Sequence, residues 1–98
     1  MIEKLERLAA AGIQLLPTDQ IETHFVFERD GLVALVERRP DGFGAIGAPG
    51  MLTEAGIAML IWRGERGFFV AKNFEQPATD NQIQRLRKFD GDLKTALR

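Results

Sequence analysis

The fold follows from a stretch of sixteen residues, HFVFERDGLVALVERR, which spans residues 24–39. Two runs rich in β-branched and aromatic side chains flank Asp30 and Gly31. Asp-Gly between such runs is a strong signal of a β-hairpin with a two-residue turn. The stretch therefore predicts an antiparallel hairpin, and the turn fixes which residues lie opposite one another.

The predicted register gives this hairpin one apolar and one mixed face. The apolar face has Arg29 opposite Leu32, Phe27 opposite Ala34 and Phe25 opposite Val36. The mixed face has Glu28 opposite Val33, Val26 opposite Leu35, His24 opposite Glu37 and Glu22 opposite Arg39. Because a sheet is stabilised by burying its apolar side, we expect the first face to pack on the core.

Outside the hairpin, the sequence predicts a helix near each end of the chain. Residues 2–11 carry apolar side chains at helical spacing, and Gly12 follows where helices often end. Residues 79–82, TDNQ, have the capping-box pattern, and apolar residues then recur at helical spacing as far as Leu97. Gly91 is a position at which this second helix could divide, because glycine is a poor helix former.

Further strands are predicted between the hairpin and the second helix. Residues 57–63 and 68–72 flank a glycine-bounded turn, and residues 43–47 form a short strand after the Pro40-Asp41 turn. Residues 51–56 fit either a short helix or the approach to the next strand. We therefore predict a single α+β domain over residues 1–98: an antiparallel sheet of four to five hairpin-connected strands, flanked by an N-terminal and a C-terminal helix.

Composition narrows the functional classes. The net charge of −1 gives no electrostatic drive toward nucleic acid or an anionic membrane. The longest apolar run, residues 57–62, is far shorter than the ~20 residues of a membrane span. The chain has no cysteine and so forms no disulfide, which agrees with a reducing compartment. We expect a cytoplasmic protein that binds neither nucleic acid nor membrane.

Residues 42–47, GFGAIG, match the G-x-G-x-x-G spacing of dinucleotide-binding turns. Such a turn must lead into a helix, whose N-terminal N–H groups hold the pyrophosphate. Here Ala48-Pro49-Gly50 follows, which opposes a helix. We expect Gly42, Gly44 and Gly47 to be structural glycines without a bound phosphate, and we expect no cofactor.

His24 is the only histidine and carries the one polar cluster that the register predicts. Glu37 lies opposite it, with Glu22 and Arg39 one pair further along, and facing Cβ atoms are about 5 Å apart. These four residues are the candidate ligand-binding group. An ordinary surface ion pair is the main alternative. No catalytic residue and no metal site is predicted, because one histidine and two carboxylates match no closed zinc motif.

Apolar residues on both faces of the later strands indicate self-association. Two helices of modest length cannot readily cover both sides of the sheet, so a second copy is the simplest partner. The candidate interface residues are Met59, Ile61 and Trp62; the alternative is that residues 40–56 fold back as a cover.

The element order is loosely similar to small acidic type III secretion chaperones, and about equally to roadblock-like modules. We therefore expect a homodimeric interaction module that binds a protein partner or ligand. A small enzyme or ligand sensor around His24 and Glu37 is the alternative.

Overall fold

The chain forms two terminal helices that flank a curled antiparallel sheet, a half-barrel. The computed structural model describes residues 2–17, 22–54 and 56–98. The elements, in chain order, are α1 (Ile2–Ala10), β1 (Gln14–Leu16), β2 (His24–Arg29), β3 (Leu32–Arg39), β4 (Gly42–Ile46), β5 (Gly50–Thr53), β6 (Gly56–Arg63), β7 (Arg66–Ala71), β8 (Phe74–Pro77) and α2 (Asp80–Ala96).

The sheet is a meander in which chain neighbours pair in the order β1-β2-β3-β5-β6-β7-β8. Both β4 and β5 pair with β3, β4 alongside its second half and β5 alongside Leu32 and Val33. β2 occupies one edge of β3. β4 and β5 therefore share the other edge and amount to one strand that is interrupted at residues 47–49. The described residues thus form seven columns of strand, all paired antiparallel.

The central hairpin has the predicted register. Six pairs join β2 to β3, from His24 opposite Glu37 to Arg29 opposite Leu32. Asp30 and Gly31 have φ values of 53° and 83°, as a type I′ turn requires. The pair predicted beyond them, Glu22 opposite Arg39, lies outside this ladder because β2 begins at His24. On its other edge, Arg39 pairs with Gly42 of β4.

The core lies between the helices and one face of the sheet. The buried strand residues of this cluster are Phe27, Leu32, Ala34, Val36, Ala58 and Phe69. They pack with residues of both helices, chiefly Leu8, Leu86, Phe89 and Leu93. We call this the inner face of the sheet and the opposite side the outer face. The predicted apolar face of the hairpin is therefore the core face, as expected.

The predicted number of strands, four to five, is wrong, because the curled sheet has seven to eight. Three strands were not predicted: β1, β5 and β8. They contain three or four residues each, so alternation of apolar and polar side chains hardly develops in them. β8 also ends in Pro77, which an edge strand tolerates but which weakens a strand prediction.

Both terminal helices agree with the sequence. Thr79 and Gln82 form the predicted capping box, with Thr79 N–H donating to Gln82 Oε1 at 2.9 Å and Gln82 N–H donating to Thr79 Oγ1 at 3.1 Å. α2 runs unbroken through Gly91, where nothing lies within 4 Å of the position that a Cβ atom would occupy. Residues 50–53 are strand, so the short helix on which the chaperone resemblance depended is not present there.

Candidate functional site

The polar cluster on the outer face joins three of the four candidate residues. His24 and Glu37 are paired across β2 and β3. Arg39 Nε donates to Glu37 Oε1 at 2.6 Å, and Thr23 Oγ1 lies 2.8 Å from His24 Nδ1. Glu22 precedes β2 and is exposed, so it stands outside the ladder that holds the other three.

Gly44 gives this ion pair its space. A Cβ atom on Gly44 would lie 2.6 Å from Arg39 Nε and 2.8 Å from Glu37 Oε1. The Glu37–Arg39 pair therefore lies across the bare backbone of β4. The glycine motif of residues 42–47 forms this strand and leads to β5, not to a helix. It consequently lacks the strand-to-helix arrangement that holds a dinucleotide phosphate.

The charge of Arg39 controls the ionisation of Glu37. The hydrogen bond from Arg39, its positive charge and that of His24 together lower the pKa of Glu37, against a smaller opposing effect of desolvation. A general base works best with a pKa near the operating pH. Because the shift moves Glu37 away from neutrality, the cluster is better suited to a permanent surface ion pair than to proton transfer.

The described residues contain no group of three or more histidine, aspartate or glutamate side chains that could hold a metal ion. Glu37 and Arg39 also lie open to solvent, with 41% and 55% of their side chains exposed. His24 does line a cavity of about 220 Å³, but neither Glu37 nor Arg39 does. The three clustered residues therefore do not line this cavity together.

The outer face carries a continuous apolar centre. One row of paired residues crosses all seven columns of the sheet: Gln14, Glu28, Val33, Gly50, Met59, Val70 and Glu75. A neighbouring row contains Leu16, Val26 and Leu35 on one side and Ile61, Phe68 and Pro77 on the other. Both rows alternate with core residues along their strands, so they point away from the helices.

The three candidate interface residues do not share one face. Met59 and Ile61 belong to the outer rows. Trp62 alternates with them and lies on the helix side, where it lines a cavity of about 240 Å³ with Ile83 and Arg87 of α2. Ile61 and Trp62 are nonetheless similarly exposed, at 43% and 48%.

Arg38 lies beside the cluster and was not among the candidate residues predicted from the sequence. It alternates with Glu37 and Arg39, so it lies on the inner face, and its guanidinium carbon is 4.4 Å from the centre of the Phe25 ring. Continued by one pair beyond Phe25 and Val36, the predicted register puts Arg38 opposite Thr23 at the end of the apolar face. That position was the signal that could have identified it.

Comparisons with protein-family models, with curated protein sequences and with solved structures gave no match to this chain. Neither helix in the described residues has the combination of length and apolar character that crossing a membrane requires.

Proposed function

We propose that this protein is a small interaction module that forms a homodimer through the outer face of its sheet. The observation that carries the proposal is the apolar centre of that face, which lies opposite both helices. Val26 and Val33 of this face are already buried within the single chain, with 4% and 1% exposed. Ile61 and Leu52 project furthest, and they are the residues that a partner would cover.

The size of the outer face sets an upper limit on a dimer contact. Seven columns about 4.8 Å apart, with strands about six residues long at about 3.3 Å per residue, have a projected area of roughly 650 Å². A standard interface buries about 800 Å² of solvent-accessible surface per partner, and accessible surface is larger than the projected area of the same face. Because this projection is that of a flat sheet, it is the largest projected area that two copies of the curled sheet could bury against each other through this face.

The rim of the face suits a second copy because it carries charges of both signs. Glu37 and Arg39 form an ion pair at one corner, and Arg63 and Glu75 form another near the β8 edge. An interface with a polar rim around an apolar centre has the usual anatomy of protein contacts. A two-fold axis brings the same patch of each copy together, so neither copy needs a separate complementary surface.

Sedimentation equilibrium tests the proposal with two adjacent substitutions. Ile61→Lys places a charge in the apolar centre and is expected to give a monomer at concentrations at which the wild type is dimeric. Trp62→Lys changes a residue of similar exposure on the helix side and is expected to leave the dimer intact. A wild-type protein that stays monomeric at about 100 μM, a concentration that detects even weak association, contradicts the proposal. Equal loss of the dimer in both variants would place the contact elsewhere.

A small enzyme or ligand sensor around His24 and Glu37 has weaker support. Glu37 is ion-paired and exposed, and its lowered pKa disfavours it as a base at neutral pH. A cytoplasmic location and a further protein partner are parts of the proposal that depend on the sequence alone.

A further inference from the structure

A cavity of about 220 Å³ lies where β1 ends and β2 continues past it. β1 pairs with β2 only as far as Leu16, opposite Val26, whereas β2 extends to His24. The apolar walls include Leu15, Pro17 and Phe25, and the polar side chains are His24 and Arg38. The residues that line the cavity therefore combine an apolar surface with the guanidinium of Arg38.

Arg38 is held in place as part of the wall. Its guanidinium carbon lies 4.4 Å from the centre of the Phe25 ring, and Phe25 packs edge-to-face on Phe43 with ring centres 5.2 Å apart. The backbone N–H of Arg38 donates to the Thr23 carbonyl oxygen at 2.9 Å. Arg38 is exposed, and stacking on this ring limits the positions that its guanidinium can take, which reduces the entropic cost of binding a ligand.

The charge of Arg38 lacks a carboxylate partner among the described residues. Arg39, its neighbour on the outer face, is ion-paired with Glu37. None of the described residues that line the cavity is acidic. Three other cavities lined by described residues each include a carboxylate: Asp92 in one, and Glu65 with Asp80 in the other two. The cavity beside Arg38 thus differs from these in being suited to an anion.

The geometry points to a binding site for a small carboxylate with an apolar body, about the size of benzoate. A cavity of about 150 Å³ is known to accept benzene, so about 220 Å³ leaves room for a ring and a carboxylate. The planar guanidinium of Arg38 matches a carboxylate with two parallel hydrogen bonds. Leu15, Pro17 and Phe25 contact the apolar body.

Titration of the full chain with sodium benzoate, followed by backbone amide NMR shifts, tests this site. Saturable shifts are expected at His24, Phe25 and Arg38, with a dissociation constant of about a millimolar for so small a ligand. Benzamide has the same shape without the charge and is expected to bind about tenfold more weakly or worse. Equal affinity for the two ligands, or shifts that do not saturate, would overturn the inference.

Arg38 and Arg39 provide matched variants on opposite faces of β3. Arg38→Met is expected to weaken benzoate binding about tenfold or more, and Arg39→Met by less than about twofold. Arg38→Lys keeps the charge but loses the planar pair of N–H donors, and it is expected to give an intermediate affinity. If Arg38→Met does not fold, Arg38→Lys provides the test. Unchanged affinity in the Arg38 variants would refute the site. Ile61→Lys is expected to bind benzoate like the wild type, so this result and the dimer result can fail separately.

Discussion

Arg29 Nη1 donates a hydrogen bond of 2.8 Å to Asp92 Oδ2 and thereby joins β2 to α2. The same nitrogen donates to the carbonyl oxygen of Ala11 at 3.0 Å, just after α1. The guanidinium carbon lies 5.6 Å from the centre of the Phe89 ring. One side chain on the inner face of the sheet thus contacts both helical segments, and only 17% of it is exposed.

Removal of this guanidinium is expected to loosen both helices. Arg29→Met keeps the apolar stem but leaves Ala11 and Asp92 without their donor, so we expect a loss of about 2 kcal/mol in the free energy of unfolding. Arg85→Met is the control, since Arg85 is exposed and its contact with the Asp30 carbonyl is long, at 3.5 Å. We expect the control to stay within about 0.5 kcal/mol. Urea unfolding measures both, and equal losses would contradict the role of Arg29.

Asp92 makes this connection dependent on pH. The hydrogen bond from Arg29 is the largest influence that lowers the pKa of Asp92; desolvation opposes it, and the charges of Lys88 and Arg29 add to it. The pKa is therefore lower in the folded than in the unfolded protein. The corresponding stabilisation is present above the unfolded pKa, about 3.9, and is lost as pH falls through the folded pKa.

Comparison of the wild type with Asp92→Asn isolates this contribution. The wild type is expected to be more stable than the variant at pH 7, and the difference is expected to shrink as pH falls below about 4. Denaturant unfolding across this pH range measures it. A difference that grows on acidification has the wrong sign for a lowered pKa and would exclude the explanation.

The absence of a side chain at Gly44 is expected to keep the pKa of Glu37 low, because it leaves space for the Glu37–Arg39 ion pair. We expect no phosphate to bind at this glycine. A methyl group in Gly44→Ala would collide with the ion pair and displace Arg39 from Glu37. Carboxyl NMR titration should then show the lowered pKa of Glu37 return toward its ordinary value.

Calorimetry with ATP or NAD should give no saturable heat for the wild type. Saturable binding that Gly44→Val abolishes would instead assign residues 42–47 to a nucleotide.

The first hairpin could be predicted residue by residue, whereas the full sheet could not. Asp30 and Gly31 set the turn, and the turn sets every pair from His24 to Arg29, so local chemistry was sufficient there. The strands β1, β5 and β8 depend on pairing with neighbours already in place, and their own residues carry little periodicity. The meeting of His24 and Glu37 followed from the register, but the cavity beside Arg38 depends on where β1 ends.

Phe27 and Glu28 test which face of the hairpin is the core. Phe27 is 1% exposed, and Phe27→Ala is expected to cost about 3–5 kcal/mol. Glu28 is on the outer face, where its Oε1 accepts from the Gly31 N–H at 3.1 Å. Glu28→Gln retains an acceptor there and should change stability by no more than about 0.5 kcal/mol. The reverse order in urea unfolding would mean that the register is wrong.

Substitution by alanine is expected to change the free energy of unfolding in opposite directions at Gly50 and Gly91. The sequence pattern alone indicates a break in structure at both glycines. Gly50 is buried within β5, and a Cβ there would lie 2.4 Å from the carbonyl oxygen of Ala58 on β6. That oxygen is part of the backbone and cannot turn aside, so Gly50→Ala must shift β5 against β6. Overpacking of this kind costs about 1–3 kcal/mol.

Gly91 lies exposed within α2 with nothing near a Cβ, so Gly91→Ala should gain about 0.5–1 kcal/mol from helix propensity. Urea unfolding of the two variants should therefore show changes of opposite sign. A stabilised Gly50→Ala would mean that β5 does not approach β6 this closely, and a destabilised Gly91→Ala would mean that α2 does not continue through residue 91.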